Sequence, residues 1–80
     1  MSFSMFPNPA NDLLVIQLDN LAQDALLLIN DVSGRVVFEK HIEFGELRLN
    51  FSVEELSSGL YSVQLHSGNR VGVLPLIIQR

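Results

Sequence analysis

The sequence predicts an all-β protein, an antiparallel β-sandwich of about seven short strands with one short helical turn. Apolar or alternating segments are separated by turn residues every eight to twelve positions, which is the spacing of strands in such sandwiches. Only one place carries a helix-start signal. The 80 residues are enough for one domain, so both sheets are expected to share a single core.

Composition limits the partners and the chemistry. Hydrophobic residues make up 48% of the chain and charged residues 18%, a balance that indicates contact with another protein. The net charge of −4 argues against nucleic acid as a partner, because binding to phosphates needs clustered lysine and arginine. Without cysteine there is neither a disulfide nor a thiolate metal site. No cofactor is predicted.

The N-terminal residues give no targeting signal. Residues 1–5 lack the basic start and the apolar run of a secretory signal, and no apolar stretch is long enough to span a membrane. On these observations alone the protein is either cytosolic or a fragment of a longer chain.

The chain begins with an extended lead-in and a strand. Pro7 and Pro9 fix φ and remove backbone donors, so residues 6–12 cannot form regular structure. Residues 13–18 alternate and predict a strand. Its apolar face carries Leu14, Ile16 and Leu18.

A polar turn follows the first strand. Asp19, Asn20 and Asp24 could offer oxygen ligands to calcium. Their spacing fits no dedicated calcium loop, so a plain solvated turn is favoured.

The central feature is a β-hairpin over residues 26–38. Residues 26–29 are apolar and too few for a stable helix, so they predict a buried strand. Asp31 can bond the backbone downstream, and Gly34 can take the positive φ that closes the turn. Residues 36–38 suit the returning strand. Because both faces of residues 26–29 are apolar, this strand is either central or meets another molecule.

A second group with ligand chemistry lies on the returning strand. Glu39, His41 and Glu43 share one side of the strand, but successive members are about 7 Å apart, which is too far to converge on one ion. We therefore favour a water-facing strand edge without a metal. His66, on another strand, is interpreted as an exposed polar residue.

The second half of the chain adds a helical turn and further strands. Residues 47–51 alternate apolar and polar side chains, as a strand does. Ser52 with Glu55 three positions later is a capping-box pattern, which predicts one short helical turn. Residues 60–66 predict a strand in which the ring of Tyr61 faces inward and its hydroxyl lies near the rim.

Residues 71–80 predict the closing strand. Pro75 cannot donate to a ladder, so this strand is expected to be an edge or to be bulged at the proline. Alternation across Pro75 does not determine which of residues 76–78 face inward. The predicted core consists of Leu14, Ile16, Leu27, Ile29, Val37, Leu49, Leu56, Tyr61, Val63 and Leu65.

Four blocks in one order and spacing resemble a known family, the C-terminal sorting domain of the type IX secretion system, type A, also called the Por secretion system sorting domain. Residues 6–80 carry the resemblance, and residues 1–5 are interpreted as a residual linker. The blocks are Phe6-Pro7-Asn8-Pro9-Ala10-Asn11-Asp12 followed by Leu14 and Ile16, Ile29-Asn30-Asp31-Val32-Ser33-Gly34-Arg35-Val36-Val37, Leu56-Ser57-Ser58-Gly59-Leu60-Tyr61-Ser62-Val63, and a basic residue at the end, Arg80.

The resemblance implies an immunoglobulin-like sandwich that is not an enzyme. It implies that the domain closes a larger exported protein of the Bacteroidota and directs an N-terminal passenger through the outer-membrane translocon. The passenger then passes from the periplasm to the cell surface or the extracellular space. A sortase-like peptidase usually removes the domain, and the passenger is attached to surface lipopolysaccharide or set free.

The resemblance also implies which residues a partner reads. These are Pro7, Asn8, Pro9, Asp31, Gly34, Gly59, Tyr61 and Arg80. The sequence departs from the family pattern at Asn30, where an aromatic residue is common, and at residues 74–76, which replace a segment that commonly holds lysine.

Two further hypotheses concern the surface and the class of function. An exposed edge near the Pro75 strand, with the outward face of Leu26 and Leu28, predicts a docking patch; the competing interpretation is a homodimer in which these leucines cover each other. A small adhesive or glycan-binding module is the alternative function, although tryptophan is absent. An enzyme would need Ser33, His41 or His66 in a cleft, and no motif indicates one.

Overall fold

The computed structural model describes residues 2–19 and 23–80 and has seven strands in two antiparallel sheets. The first sheet has the order β1-β2-β5 and the second the order β4-β3-β6-β7. The strands are β1 Ser2–Phe6, β2 Leu13–Asp19, β3 Ala25–Asn30, β4 Val36–Ile42, β5 Arg48–Ser52, β6 Gly59–Ser67 and β7 Arg70–Ile78. The described residues contain no helix. The predicted all-β sandwich is confirmed.

The strand order is that of an immunoglobulin-like sandwich with one difference from the constant type. In constant-type domains the fourth strand pairs with the fifth, in the sheet of the first two strands. Here β4 pairs with β3 instead, which leaves three strands in one sheet and four in the other. As a result β4 and β5 are both edge strands, and they lie in different sheets.

The core is built from the inward face of each strand. Buried and half-buried residues alternate along β3 and along β6 from Tyr61 onward, as expected for strands at the centre of a sheet. The buried hydrophobic residues are Ala10, Leu14, Ile16, Leu18, Ala25, Leu27, Ile29, Ile42, Leu49, Val53, Tyr61, Val63, Leu65, Leu76 and Ile78. Two predicted core residues, Val37 and Leu56, are only half-buried and pack against this cluster.

The pairing of β4 with β3 explains the position of Val37. Ile29 pairs with Phe38 and Asn30 pairs with Val36, so Val37 is the extra residue and has no partner on β3. The inward residues Ala25, Leu27 and Ile29 pair with Ile42, Lys40 and Phe38, which form the inward row of β4. Alternation along β4 therefore places Val37 on the other side, with Glu39 and His41, and its prediction as a core residue was wrong.

The predicted helical turn is a single hydrogen-bonded turn and not a helix. The Leu56 N–H donates to the Val53 carbonyl at 3.0 Å, and the Ser52 hydroxyl accepts from the Glu54 N–H at 3.2 Å. The Val53 N–H donates to the Asp12 carbonyl at 2.8 Å. Because the Val53 N–H is bonded to Asp12 and the Val53 side chain is buried in the core, the chain stays extended up to this residue.

The closing strand is an edge strand, as predicted from Pro75. Pro75 pairs with Ser62 in a ladder that runs without interruption from Gly59 to Ser67. Leu76 and Ile78 are buried, and Ile77 faces outward.

The N-terminal residues take part in the sandwich. Phe3 and Met5 of β1 lie opposite Leu18 and Ile16 of β2 and pack against the core. Residues 2–5, which we interpreted as linker, therefore form part of a paired strand. Where the domain begins within a longer protein stays a prediction.

Candidate recognition site

The sequence blocks that carry the resemblance meet at one end of the sandwich. The antiparallel order places the ends of β3, β5 and β7 and the start of β6 on the same side. We call this region the motif end; it comprises residues 7–10, 31–35 and 53–61 together with Arg80. It includes all of the residues implied for recognition, namely Pro7, Asn8, Pro9, Asp31, Gly34, Gly59, Tyr61 and Arg80.

Asn8 replaces a strand partner at the outer edge of β7. Its side-chain Nδ2 donates to the Pro75 carbonyl at 3.1 Å, and its Oδ1 accepts from the Ile77 N–H at 3.0 Å. Because Pro75 has no N–H, the outward backbone groups of residues 75–77 are the Pro75 carbonyl and the Ile77 N–H. The Asn8 amide has both a donor and an acceptor and binds the two groups. Residues 7–10, which we call the strap, thus cover the edge beside Pro75. The prediction that this edge is exposed was wrong, because the strap occupies its outward backbone groups.

Ala10 continues the strap by backbone pairing. Its N–H donates to the Ile77 carbonyl and its carbonyl accepts from the Gln79 N–H, both at 2.8 Å. The Ala10 side chain is buried in the core. Pro7 and Pro9 are exposed, and the peptide bonds before them are cis. The strap therefore binds through Asn8 and Ala10 and presents its two prolines to solvent.

We expect Asn8→Ala to loosen the strap. Loss of two hydrogen bonds between neutral groups lowers the free energy of unfolding by about 1–2 kcal/mol. Hydrogen exchange of the Ile77 amide should become faster, because its acceptor is the Asn8 Oδ1. The matched control is Asn50→Ala, an exposed asparagine on β5. Unchanged exchange at Ile77 in Asn8→Ala would contradict the assigned contact.

The Asp31 carboxylate organises the β3–β4 turn. Its Oδ1 accepts from the Ser33 hydroxyl at 2.6 Å and from the N–H groups of Ser33 and Arg35 at 3.0 and 3.1 Å. Its Oδ2 lies 3.4 Å from the Arg35 Nε. The Gly34 N–H donates to the Asp31 carbonyl at 3.0 Å, and Gly34 has a φ of +89°, a conformation that favours glycine. Asn30 adds a bond from its Nδ2 to the Gly34 carbonyl at 3.0 Å.

These contacts make the turn sensitive to acid. The hydrogen bond from the Ser33 hydroxyl, followed by those from the backbone and the charge of Arg35, lowers the pKa of Asp31 below its ordinary value of 3.8. A lowered folded-state pKa stabilises the fold above the ordinary pKa, and this contribution is lost as the pH falls through the lower value.

We therefore expect the stability difference between the wild type and Asp31→Asn to depend on pH. The difference in the free energy of unfolding should be constant near neutral pH and should shrink below the ordinary pKa of 3.8. Urea unfolding at a series of pH values measures it. A difference that stays the same down to the most acidic pH would show that the carboxylate charge does not stabilise the turn.

Tyr61 anchors the segment before β6. Its ring is buried, with only 8% of the residue exposed. Its hydroxyl donates to the Ser57 carbonyl at 2.7 Å, four residues upstream. Immunoglobulin-like sandwiches carry a tyrosine with this contact near the start of the penultimate strand, which is the place of Tyr61 in β6. Gly59, at the start of that strand, pairs with Ile78.

Arg80 closes the same segment from the other side. Its guanidinium donates to the backbone carbonyls of Val53 and Leu56. Its backbone N–H donates to the Ser58 hydroxyl at 3.2 Å. Arg80 thus ties the end of β7 to the β5–β6 connection, and its charge is directed at carbonyl oxygens.

A groove of about 730 Å³ opens at the motif end between the β3–β4 hairpin and the β5–β6 connection. Its size is within the range of ligand-binding clefts, about 300–1,000 Å³. Asp31, Val37 and Phe38 line one side, and Glu55 and Leu56 line the other. The groove therefore lies between the second sequence block, residues 29–37, and the third, residues 56–63.

Comparison with protein families identifies the chain. The family model described as the secretion system C-terminal sorting domain matches residues 4–79. The chain belongs to this family. The comparison with curated proteins found no match. The resemblance drawn from the sequence blocks is confirmed, and the sorting domain is a signal for type IX secretion carried by a larger protein that goes to the cell surface or the extracellular space.

The predicted docking patch of the sorting domain lies away from the motif-end contacts. Leu26 and Leu28 face outward on β3 and are half-buried. His41 and His66 lie opposite Leu26 on the two neighbouring strands. Glu39 and Gln64 lie opposite Leu28 in the same way. Polar side chains therefore border the two leucines, and their role in docking stays a prediction.

The candidate metal ligands of the sorting domain are engaged in other contacts or spread apart. Asp24 accepts from the Phe44 N–H at 2.7 Å and lies 3.3 Å from the His41 Nε2. The His66 Nε2 lies 2.9 Å from the Gln64 Oε1. Within residues 2–19 and 23–80, no group of three or more His, Asp or Glu side chains converges as a metal site would. The calcium hypothesis falls partly outside the described residues, which exclude Asn20 and the side chain of Asp19.

Sequence reasoning missed the residues that connect the blocks. Val53 is buried and extends the inward row of Leu49 and Phe51 beyond the end of β5, so continued period-two alternation was a signal for it. Ala10 and Ser57 act through backbone groups, for which a sequence carries no pattern.

In the part of the chain that the structure describes, no helix has the length and apolar character needed to cross a membrane.

Proposed function

We propose that the sorting domain is a non-catalytic address that directs an N-terminal passenger across the outer membrane. The passenger crosses the periplasm, the type IX translocon recognises the domain, and a sortase-like peptidase then removes it. The passenger is attached to the cell surface or set free. The family match supports the type IX route, and the arrangement of the motif end supports recognition of the folded domain.

The observation that carries this proposal is the convergence of the sequence blocks. Their polar groups are used within the domain: Asp31 binds its own turn, Tyr61 binds the Ser57 carbonyl, and Arg80 binds two carbonyls. Side chains occupied in this way shape a surface and are not free to act as reactive groups. A partner would therefore recognise the sequence blocks as one surface of the domain, through the shape of that surface and its exposed backbone groups.

A reporter fusion tests the proposal. The chain is fused to the C-terminus of a fluorescent protein that is exported to the periplasm, in cells with and without a working type IX translocon. We expect surface fluorescence only with the translocon, and none for the reporter without the domain. Mass spectrometry of the displayed reporter locates any cleavage. Display that does not depend on the translocon would exclude the proposed function.

The docking patch of Leu26 and Leu28 is a separate part of the proposal. We expect Leu26→Thr combined with Leu28→Thr to reduce surface display, because threonine keeps the β propensity and removes apolar contact area. Leu13→Thr combined with Leu47→Thr, exposed leucines outside the four-stranded sheet, is the matched control. The oligomeric state of the purified chain is measured in parallel. Normal export together with a monomeric wild type would exclude both the docking patch and the homodimer.

A further inference from the structure

The groove at the motif end has an apolar floor. Val37, Phe38 and Leu56 line it and are half-buried, so each keeps apolar surface in contact with water. The ring of Phe38 stacks on that of Phe51, with centroids 4.7 Å apart and planes 11° apart. Stacking holds the floor in one conformation in the free domain. A ligand that covers this floor would gain hydrophobic burial at little cost in ordering.

The rim of the groove has an excess of negative charge. Asp31 and Arg35 lie on the same side and neutralise each other, with 3.4 Å between Oδ2 and Nε. Glu54 and Glu55 lie on the opposite side and are exposed. Within the described residues neither glutamate forms a salt bridge. The Arg80 guanidinium binds the carbonyls of Val53 and Leu56 on either side of the two glutamates. Three carboxylates, Asp31, Glu54 and Glu55, thus face two arginines, Arg35 and Arg80, and the remaining negative charge complements a basic ligand.

An unpaired strand edge runs beside the groove. In the part of the chain that the structure describes, β4 pairs with β3 on one side only. Lys40, which lies opposite Leu27 in the inward row of β4, is exposed, and a charge on the inward row of an edge strand discourages pairing at that position. The part of β4 next to the groove, Val36 to Phe38, carries no such charge but contains the bulge at Val37, so it can accept only a short extended backbone segment.

From these three features we infer that the groove binds an extended peptide segment that carries basic and apolar side chains on one face. The apolar side chain lies on the floor, and the basic side chain about 7 Å further along the same face reaches Glu54 and Glu55. The partner is a protein of the export machinery, and this assignment rests on the proposed function. The peptide chemistry itself rests only on the groove.

A designed peptide tests the chemistry. The probe is an end-blocked octapeptide, Thr-Val-Thr-Lys-Thr-Val-Thr-Lys, which places valine and lysine on one face of a strand. The matched probe has glutamate in place of lysine. In NMR titrations of the chain we expect the lysine peptide to shift the amide signals of Val37, Phe38 and Leu56. We expect at least about tenfold weaker binding for the glutamate peptide.

Two double variants, each of which removes two negative charges, test whether peptide binding depends on the groove or on the net charge of the domain. Glu54→Gln with Glu55→Gln should weaken binding of the lysine peptide at least about tenfold. Glu43→Gln with Glu46→Gln removes the same charge from the β4–β5 connection, away from the groove and the docking patch, and should leave binding unchanged. Equal binding of both peptides, shifts centred elsewhere, or no shifts at millimolar peptide would overturn the inference. Self-association through the groove, seen as concentration-dependent shifts without peptide, would assign it to a second copy and also overturn it.

The reporter fusion separates failure of this inference from failure of the proposed function. If the wild-type domain does not direct translocon-dependent display, the proposed function fails, whereas the peptide titration still decides the groove chemistry. If the wild type is displayed and Glu54→Gln with Glu55→Gln is displayed equally well, the export machinery is not the partner of the groove. We expect display of this variant to fall at least about threefold, and that of Glu43→Gln with Glu46→Gln to match the wild type.

Discussion

Replacing Tyr61 with alanine is expected to lower the free energy of unfolding of the sorting domain by about 3–5 kcal/mol. The ring is buried between the sheets, and its hydroxyl binds the Ser57 carbonyl at 2.7 Å. Alanine would leave a cavity and would remove the anchor of the segment before β6. Equilibrium unfolding in urea, followed by circular dichroism, measures the loss.

Two further variants separate the contributions at this site. Tyr61→Phe keeps the ring and removes only the hydrogen bond, so a loss of about 1–2 kcal/mol is expected. Leu60→Ala changes the neighbouring residue, which is 54% exposed, and should stay within about 0.5 kcal/mol of the wild type. If Tyr61→Phe is as stable as the wild type, the Ser57 contact does not stabilise the fold.

Leu27→Ala is expected to cost about 2–5 kcal/mol of unfolding free energy. Leu27 lies on β3 opposite Leu65 of β6, and both side chains are fully buried. Both strands lie inside the four-stranded sheet, so neighbouring chains cannot move easily to fill the cavity that alanine leaves. Thermal and urea unfolding of the purified chain measure the effect.

The adjacent Leu26→Ala is the control for this variant. Leu26 is half-buried on the outward face of the same strand, so its truncation should cost clearly less than that of Leu27. Equal losses at the two positions would mean that the outward face is covered in solution, as the homodimer hypothesis requires. Similar losses would therefore contradict a free monomer with an exposed outer face.

The two large losses of stability also test whether the export machinery recognises the folded domain or its unfolded sequence. A small domain has a total stability of about 5–15 kcal/mol, so Tyr61→Ala or Leu27→Ala removes a large share of it. Tyr61 is part of the motif end, whereas Leu27 lies in the core. If recognition requires the folded domain, both variants lower display of the reporter in proportion to the unfolded fraction. If the machinery reads the unfolded sequence, both are displayed normally.

Most of the strand pattern followed from local sequence. The alternation of Leu14, Ile16 and Leu18 and that of Tyr61, Val63 and Leu65 correctly identified inward faces, because side chains in a strand alternate whatever its neighbours are. Pro75 correctly indicated an edge strand, because a missing N–H is a property of the residue itself. The blocks that identify the family are likewise local patterns.

The misses occurred where one strand depends on another. Val37 is not in the inward row because β4 pairs with β3 so that Phe38, Lys40 and Ile42 face inward, and register between strands is not encoded in either strand alone. The capping-box signal at Ser52 and Glu55, by contrast, correctly indicated one short turn, which the Leu56 N–H closes by donating to the Val53 carbonyl. The turn does not continue as a helix, because so few residues cannot sustain one.

The sequence by itself determined the fold class, the inward faces of the strands and the family of this protein, since each depends on residue types and their spacing along the chain. Only the tertiary structure decided that Asn8 binds the edge at Pro75, that Arg80 binds the β5–β6 connection, and that the blocks enclose a groove with Glu54 and Glu55 on its rim. The physical reason is that these contacts join residues more than twenty positions apart, and their distances are set by how the two sheets pack and not by any local preference.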